Sequence, residues 1–199
     1  MPLTITVSLL KGGASKTTTA LALAEAAALS VPVVLVDTDP MGSAWRWSYL
    51  AERSGRPLQC RVVPLPTADL ARHLRTVTRD AAVVVIDSPP PGDLAVARAA
   101  VDAADTVVMP TTPNYADLDR VNATAEIAAG KSAGATLVQV RGGMEDAAAA
   151  AVALRSWGIR VYDSQLSLSV SVARNYGQPV TGMLLRYGVD LMTEITKEA

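Results

Sequence analysis

The sequence predicts an α/β fold, a mostly parallel sheet of about seven strands with helices on both faces. Three observations carry this. Short β-branched runs recur along the 199 residues, each followed by a longer Ala-rich stretch of helical character. Several runs are apolar at every position, as strands covered on both faces must be. Half of the residues are apolar and the net charge is -1, a balance that supports a buried core of domain size.

The elements follow in order. Leu3–Leu10 is the first strand, and Lys11-Gly12-Gly13-Ala14-Ser15-Lys16-Thr17-Thr18 leads from it into a helix over 17–29. Val33–Val36 runs into Asp37-Thr38-Asp39-Pro40-Met41-Gly42, where Pro40 and Gly42 break the strand before a helix over 43–53. Cys60–Val63 precedes a helix over 67–79, whose Arg72, His73 and Arg75 read as a solvated face. Ala82–Ile86 ends in Asp87-Ser88-Pro89-Pro90-Pro91-Gly92 and is followed by a helix over 93–103. Thr106–Met109 opens onto Pro110-Thr111-Thr112-Pro113-Asn114 and a helix over 115–130. Thr136–Val140 ends at Arg141 before a helix over 144–157, and Ile159–Tyr162 is the last strand before a closing helix over 181–197. One domain over 1–199 is expected, with no N-terminal helix-turn-helix domain, because the first strand starts almost at residue 1.

Composition excludes some classes. The only cysteine, Cys60, rules out an intrachain disulfide and a multi-cysteine metal or iron–sulfur site, and it reads as a small buried hydrophobe. No positive region precedes the first apolar run and no stretch of 18 apolar residues occurs, so a cytoplasmic chain without a membrane span is expected. The near-neutral charge leaves no global basic footprint for nucleic acid.

The chemistry sits where strands end, since the carboxyl ends of parallel strands form the ligand crevice. Gly12 and Gly13 permit a tight turn that brings N–H groups toward an anion, and the following helix N-terminus adds its positive dipole end. Lys16 supplies a charge for β- and γ-phosphates, and the Thr17 hydroxyl is a magnesium ligand. The pattern G-x-x-x-x-G-K-[ST] fails at Leu10 and Ser15, whereas the variant K-G-G-x-x-K-[ST] fits. Asp37 and Asp39 stand two apart at the end of their strand and point to one side. Asp87, at the end of a buried-type strand, is placed to hold Mg²⁺.

These motifs resemble the ParA/MinD family of deviant Walker-A ATPases, most of all the small ParA-type partition ATPases. The resemblance implies that Lys11 reaches across a nucleotide-sandwich homodimer to phosphates held by the other subunit. It implies that Asp39 orients the attacking water and assists the magnesium shell, and that Asp37 supports the loops. Lys11, Lys16 and Asp39 are then the catalytic set, with Thr17, Asp39 and Asp87 around Mg²⁺. The ATP-binding set is Lys11, Gly12, Gly13, Ala14, Ser15, Lys16, Thr17 and Thr18, joined by Pro113 beside the nucleotide and by Gln139 and Arg141 toward the adenine. Ser15 stands where the family has glycine, Met41 where it has glutamine, and Pro91 is an additional proline in the third motif.

The function implied is an ATP-driven dimerisation switch in plasmid or chromosome partition. Its ATP dimer binds DNA non-specifically on the nucleoid, and a centromere-binding ParB-type partner stimulates slow hydrolysis. Arg141, Arg155, Arg160, Arg174 and Arg186 are the basic residues available for DNA, scattered with no dense run. A MinD-like membrane-cycling ATPase is the alternative. It requires a basic amphipathic C-terminal helix, and the weakly acidic end Leu191–Ala199 disfavours it. A metabolic enzyme on the same fold is the third reading, for which turnover depends on a small-molecule substrate. Trp45, Trp47 and Tyr49 read as packing under the first helix, with a dimer or regulator surface as the other possibility.

Overall fold

Seven parallel strands form one sheet in the computed structural model, which describes residues 1–140 and 144–197. They are β1 (Leu3–Val7), β2 (Val33–Asp37), β3 (Arg61–Pro64), β4 (Val83–Asp87), β5 (Thr106–Thr111), β6 (Ser132–Val140) and β7 (Val161–Ser167), in the order β3-β2-β4-β1-β5-β6-β7. The helices are α1 (Lys16–Ala28), α2 (Ser43–Arg53), α3 (Leu70–Val77), α4 (Leu94–Asp102), α5 (Tyr115–Ile127), α6 (Met144–Ser156), α7 (Val170–Ala173) and α8 (Gly182–Thr196).

Strand β1 lies between β4 and β5, so the chain winds one way from β1 to β2 and the other way from β4 to β5. That reversal opens a crevice at the carboxyl end of β1. Alternate residues of the strands feed separate cores. Ile5, Val7, Leu35 and Val85 pack with α1, α2 and α8 on one face, while Val84 and Ile86 with α3 and α4, and Val107 and Met109 with α4 to α6, pack on the other. Every residue of β2 and β4 is buried, which is why these strands read as unbroken apolar runs.

Helix α1 lacks an amphipathic stripe because it is enclosed between the sheet and α8; Leu21, Leu23 and the intervening alanines are all buried. Gly188 of α8 permits the close approach, since a Cβ there would lie 2.1 Å from the Ala22 carbonyl oxygen. Tyr187, the residue before it, places its hydroxyl 3.1 Å from Thr136 Oγ1 of β6 and 3.5 Å from Thr19 Oγ1 of α1.

Several details depart from the sequence expectation, among them β6, which begins at Ser132, four residues before the expected Thr136. Strand β1 ends at Val7, because beyond Ser8 the chain leaves the sheet and the Leu10 N–H is taken up by Thr124 Oγ1 of α5. Strand β7 runs on to Ser167, with burial alternating from Tyr162 through Ser164 to Leu166, so an unbroken apolar run understates it. The single turn α7 carries no periodicity of its own and is absent from the sequence reading. Of the three aromatics after β2, only Trp47 is core: it is buried and its Nε1 donates to the Gln178 carbonyl at 2.7 Å. Trp45 and Tyr49 stack on each other at 5.8 Å on the exposed face of α2. Cys60 is buried just before β3, and its N–H and that of Gln59 both donate to Glu25 Oε1 of α1 at 2.8 Å.

Candidate functional site

Strand register brings the three motifs together. Val7 pairs with Asp87 across β1 and β4, and Asp37 pairs with Asp87 across β2 and β4, so the motif-bearing strands end on one rung. The loop Leu10–Ser15 leaves β1 beside this rung. Gly13 is left-handed at φ 71°, and Ser15, also left-handed at φ 59°, delivers the chain into α1. The first turn of α1 thus starts at Lys16 with N–H groups that have no intrahelical acceptor.

Lys16 is buried, and its Nζ donates to the Lys11 carbonyl at 2.8 Å. Burial lowers its pKa, while Asp87 and Asp39 pull it upward. Asp87 is fully buried, and neither carboxylate oxygen has a hydrogen-bond partner among the described residues. Burial first, then the facing Asp37, push its pKa up to about 8, against the pull of Thr17 and Lys16. The backbone around it is well held: Thr38 donates to the Asp87 carbonyl through both its N–H and its hydroxyl, at 3.0 and 2.7 Å.

Asp37 is also buried but partnered. Its Oδ1 accepts from the Asp39 N–H at 3.2 Å and its Oδ2 from the Trp45 N–H at 2.9 Å, so it ties the motif loop to the start of α2. Burial raises its pKa, opposed by those N–H donors. Asp39 is half-buried at the crevice, and its Oδ1 accepts from the Met41 N–H at 2.9 Å. Met41 itself is 80% exposed. In the third motif the prolines lead to Asp93, whose carboxylate caps α4 by accepting from the Val96 N–H at 3.2 Å.

Lys11 pairs with Asp117 of α5, which is buried and also accepts from Thr112 Oγ1 at 2.5 Å. Sequence reasoning missed Asp117. It stands 106 residues from Lys11, and an acid in the first turn of a helix is ordinary. Pro113 and Gln139 share a cleft of about 570 Å³ with Thr112, Asn114, Tyr115 and Asp146. The Gln139 amide nitrogen reaches Ser15 Oγ at 2.9 Å. Arg141 lies outside the described residues.

The remaining arginines stand apart. Arg155 of α6 pairs with Asp163 at 3.3 Å, and Arg160 lies 4.4 Å from the Tyr162 ring centroid. Arg174 lines a cavity of about 390 Å³ with Arg56, and Arg186 is exposed on α8. Among the described residues no helix is long and apolar enough to cross a membrane.

Residues 5–198 match the family described as the CobQ/CobB/MinD/ParA nucleotide binding domain. Over 108 residues the chain is 44% identical to the maintenance of carboxysome distribution protein A of Gloeobacter kilaueensis, a stretch covering 54% of this chain and 48% of that protein. The chain thus spans about half the length of the curated relative it matches. The fold is that of a Borrelia burgdorferi plasmid partition protein bound to AMPPNP (TM-score 0.82, 16% identity, 99% of this chain and 100% of that one). It is equally that of the cell division ATPase MinD of Pyrococcus furiosus (TM-score 0.81, 18% identity, all of both chains). A Cyanothece McdA variant in complex with ATP is similar as well (TM-score 0.78, 18% identity, 98% and 96% covered).

Proposed function

The chain belongs to the CobQ/CobB/MinD/ParA nucleotide-binding family, and from that membership we propose that it is a magnesium-dependent ATPase whose ATP-bound homodimer acts as a positioning switch on DNA. The observation that carries the reading is the buried Asp87 carboxylate, without a hydrogen-bond partner among the described residues, at the end of β4 beside Lys16. A buried acid in this state calls for a cation, and a metal ion beside a triphosphate fits it. Thr17, Asp39 and Asp87 are the residues that would hold magnesium, which when bound would neutralise charge on the phosphate oxygens.

This chain's own groups do the rest. The loop from Lys11 to Thr18 cradles the triphosphate with backbone N–H groups, and Lys16 turns from the Lys11 carbonyl to the phosphates. Asp39, at the open side of the crevice, orients the attacking water in line with the γ-phosphate. Asp37 keeps that loop in place through its bonds to Asp39 and Trp45. Lys11 leaves Asp117 and reaches the phosphates of the partner subunit, adding positive charge where it develops in the transition state. Pro113 and the wall of its cleft take the base.

The dimer binds DNA without sequence preference through arginines that only association brings together, with Arg155, Arg160, Arg174 and Arg186 as contributors. A ParB-type partner stimulates hydrolysis and releases it. The identity to a carboxysome distribution protein favours a second reading of the cargo, in which the same switch distributes a protein body and not a replicon.

The test is dimerisation by light scattering and DNA retention with and without Mg-ATP, for wild type, Lys11→Ala and Lys16→Ala. Dimerisation and DNA binding require ATP in the wild type and are lost in both variants. Full dimerisation and stimulated turnover in both variants would refute the assignment, and ATP-dependent sedimentation with liposomes would favour the membrane-cycling reading instead.

A further inference from the structure

Among the described residues only two non-glycine residues have a left-handed backbone, Ser15 at φ 59° and Gln139 at φ 54°. They are 124 residues apart, and they touch: Gln139 Nε2 donates to Ser15 Oγ at 2.9 Å and, more weakly, to the Gly13 carbonyl at 3.3 Å. Because the Gly13 group is an acceptor only, the amide nitrogen is the atom that faces the loop.

Each position has its own local reason to favour glycine. Ser15 turns the phosphate loop into α1. Gln139 is the extra residue of a bulge, since Val138 pairs with Leu166 while Val140 pairs with Ser167. A bulge with a left-handed residue is ordinarily built on glycine, and bulges beside functional sites re-aim side chains. Left-handed backbone is unfavourable for a side-chain-bearing residue. Two such residues, bonded to each other across the phosphate loop, form one device.

We infer that Gln139 is a positioning residue for the phosphate loop and acts through Ser15. The serine supplies a hydroxyl where glycine supplies only conformational freedom, and the bulged Gln139 holds that hydroxyl so that the loop keeps the shape a triphosphate needs. Gln139 then serves the phosphates and not the base, although it also lines the cleft with Pro113 and Asn114. This rests on reading the loop as a triphosphate site.

The test measures binding of Mg-ATP and of magnesium tripolyphosphate, which has no base, to wild type, Ser15→Gly, Gln139→Ala, the double variant and Gln139→Gly. Melting temperature is recorded alongside. With Ser15 present, Gln139→Ala weakens both ligands by about fivefold to tenfold, the worth of one hydrogen bond. In the Ser15→Gly background the same change costs about twofold or less. Gln139→Gly relieves the bulge and raises the melting temperature while still weakening tripolyphosphate, a split that a purely structural role would not give. Loss of ATP affinity with tripolyphosphate unchanged would make Gln139 a base contact and overturn the inference, as would equal losses in both backgrounds. A wild-type protein that binds neither ligand would instead overturn the reading of the loop itself.

Discussion

Asp87→Asn should make the metal-free protein more stable while abolishing its response to Mg-ATP. Asp87 is fully buried, its carboxylate oxygens have no hydrogen-bond partner among the described residues, and its pKa is pushed from 3.8 up to about 8, chiefly by burial and then by the facing Asp37. An acid with a raised folded-state pKa holds its proton longer in the folded chain than in the unfolded one. Stability therefore falls as pH rises from about 4 to about 8, the reverse of the usual carboxylate case. At ~1.4 kcal/mol for each tenfold displacement of the proton equilibrium, the ceiling by pH 8 is on the order of 5 kcal/mol. Water entry and relaxation around the carboxylate bring the measured effect down to about 2–3 kcal/mol. Urea unfolding in EDTA at pH 5, 7 and 8 reads this directly. The advantage of Asp87→Asn is small at pH 5 and widens to pH 8. Mg-ATP then raises the midpoint of the wild type and leaves the variant unchanged. A variant less stable than wild type at pH 8, or a gap that does not widen with pH, would refute the argument that the buried acid lacks compensation in the metal-free protein.

Two other changes follow from the geometry. Asp117→Asn removes the charge that holds Lys11; because Lys11 is about two-fifths exposed, the pair is worth only ~1 kcal/mol in each subunit, and since the proposed dimer frees two such lysines, ATP-dependent dimerisation should shift to about thirtyfold lower protein concentration in light scattering. Gly188→Ala drives a Cβ to 2.1 Å from the Ala22 carbonyl oxygen in the helix that follows the phosphate loop, and should cost about 3 kcal/mol in urea unfolding, with weaker nucleotide binding as α1 is pushed off its seat.

Much of the fold was legible because its signals are local. An enclosed parallel strand such as Val83–Asp87 must be apolar on both faces, and a motif such as Lys11–Thr18 carries its turn, its charge and its helix start in adjacent residues. The acids could be placed at strand ends for the same reason. What the sequence concealed is contact between distant residues. Nothing near Lys11 announces Asp117, and nothing near Val138 announces that Gln139 bulges toward Ser15. Trp45, Trp47 and Tyr49 are equally aromatic in sequence, and only the position of Gln178 and Tyr176 against α2 makes Trp47 the buried one. The departure at Ser15 was visible as a mismatch, but its partner required three dimensions.

The unequal satisfaction of the site's charges bears on how such a switch is set. Among the described residues Lys11 is paired with Asp117, whereas the Asp87 carboxylate accepts no hydrogen bond. Lys16, buried and lowered in pKa, stands between these conditions, its ammonium donating to the Lys11 carbonyl. On the proposed reading, magnesium and triphosphate would compensate Asp87 and Lys16 together, because one ligand brings both signs of charge into the same buried space. A partly exposed pair such as Lys11–Asp117 is worth only ~1 kcal/mol, little beside the several kcal/mol that an uncompensated buried charge costs. The proposed switch therefore needs only a small part of the ligand's binding free energy to free Lys11 toward a second subunit. On the same reading, loss of the γ-phosphate would remove the group Lys11 reaches for and return the lysine to Asp117.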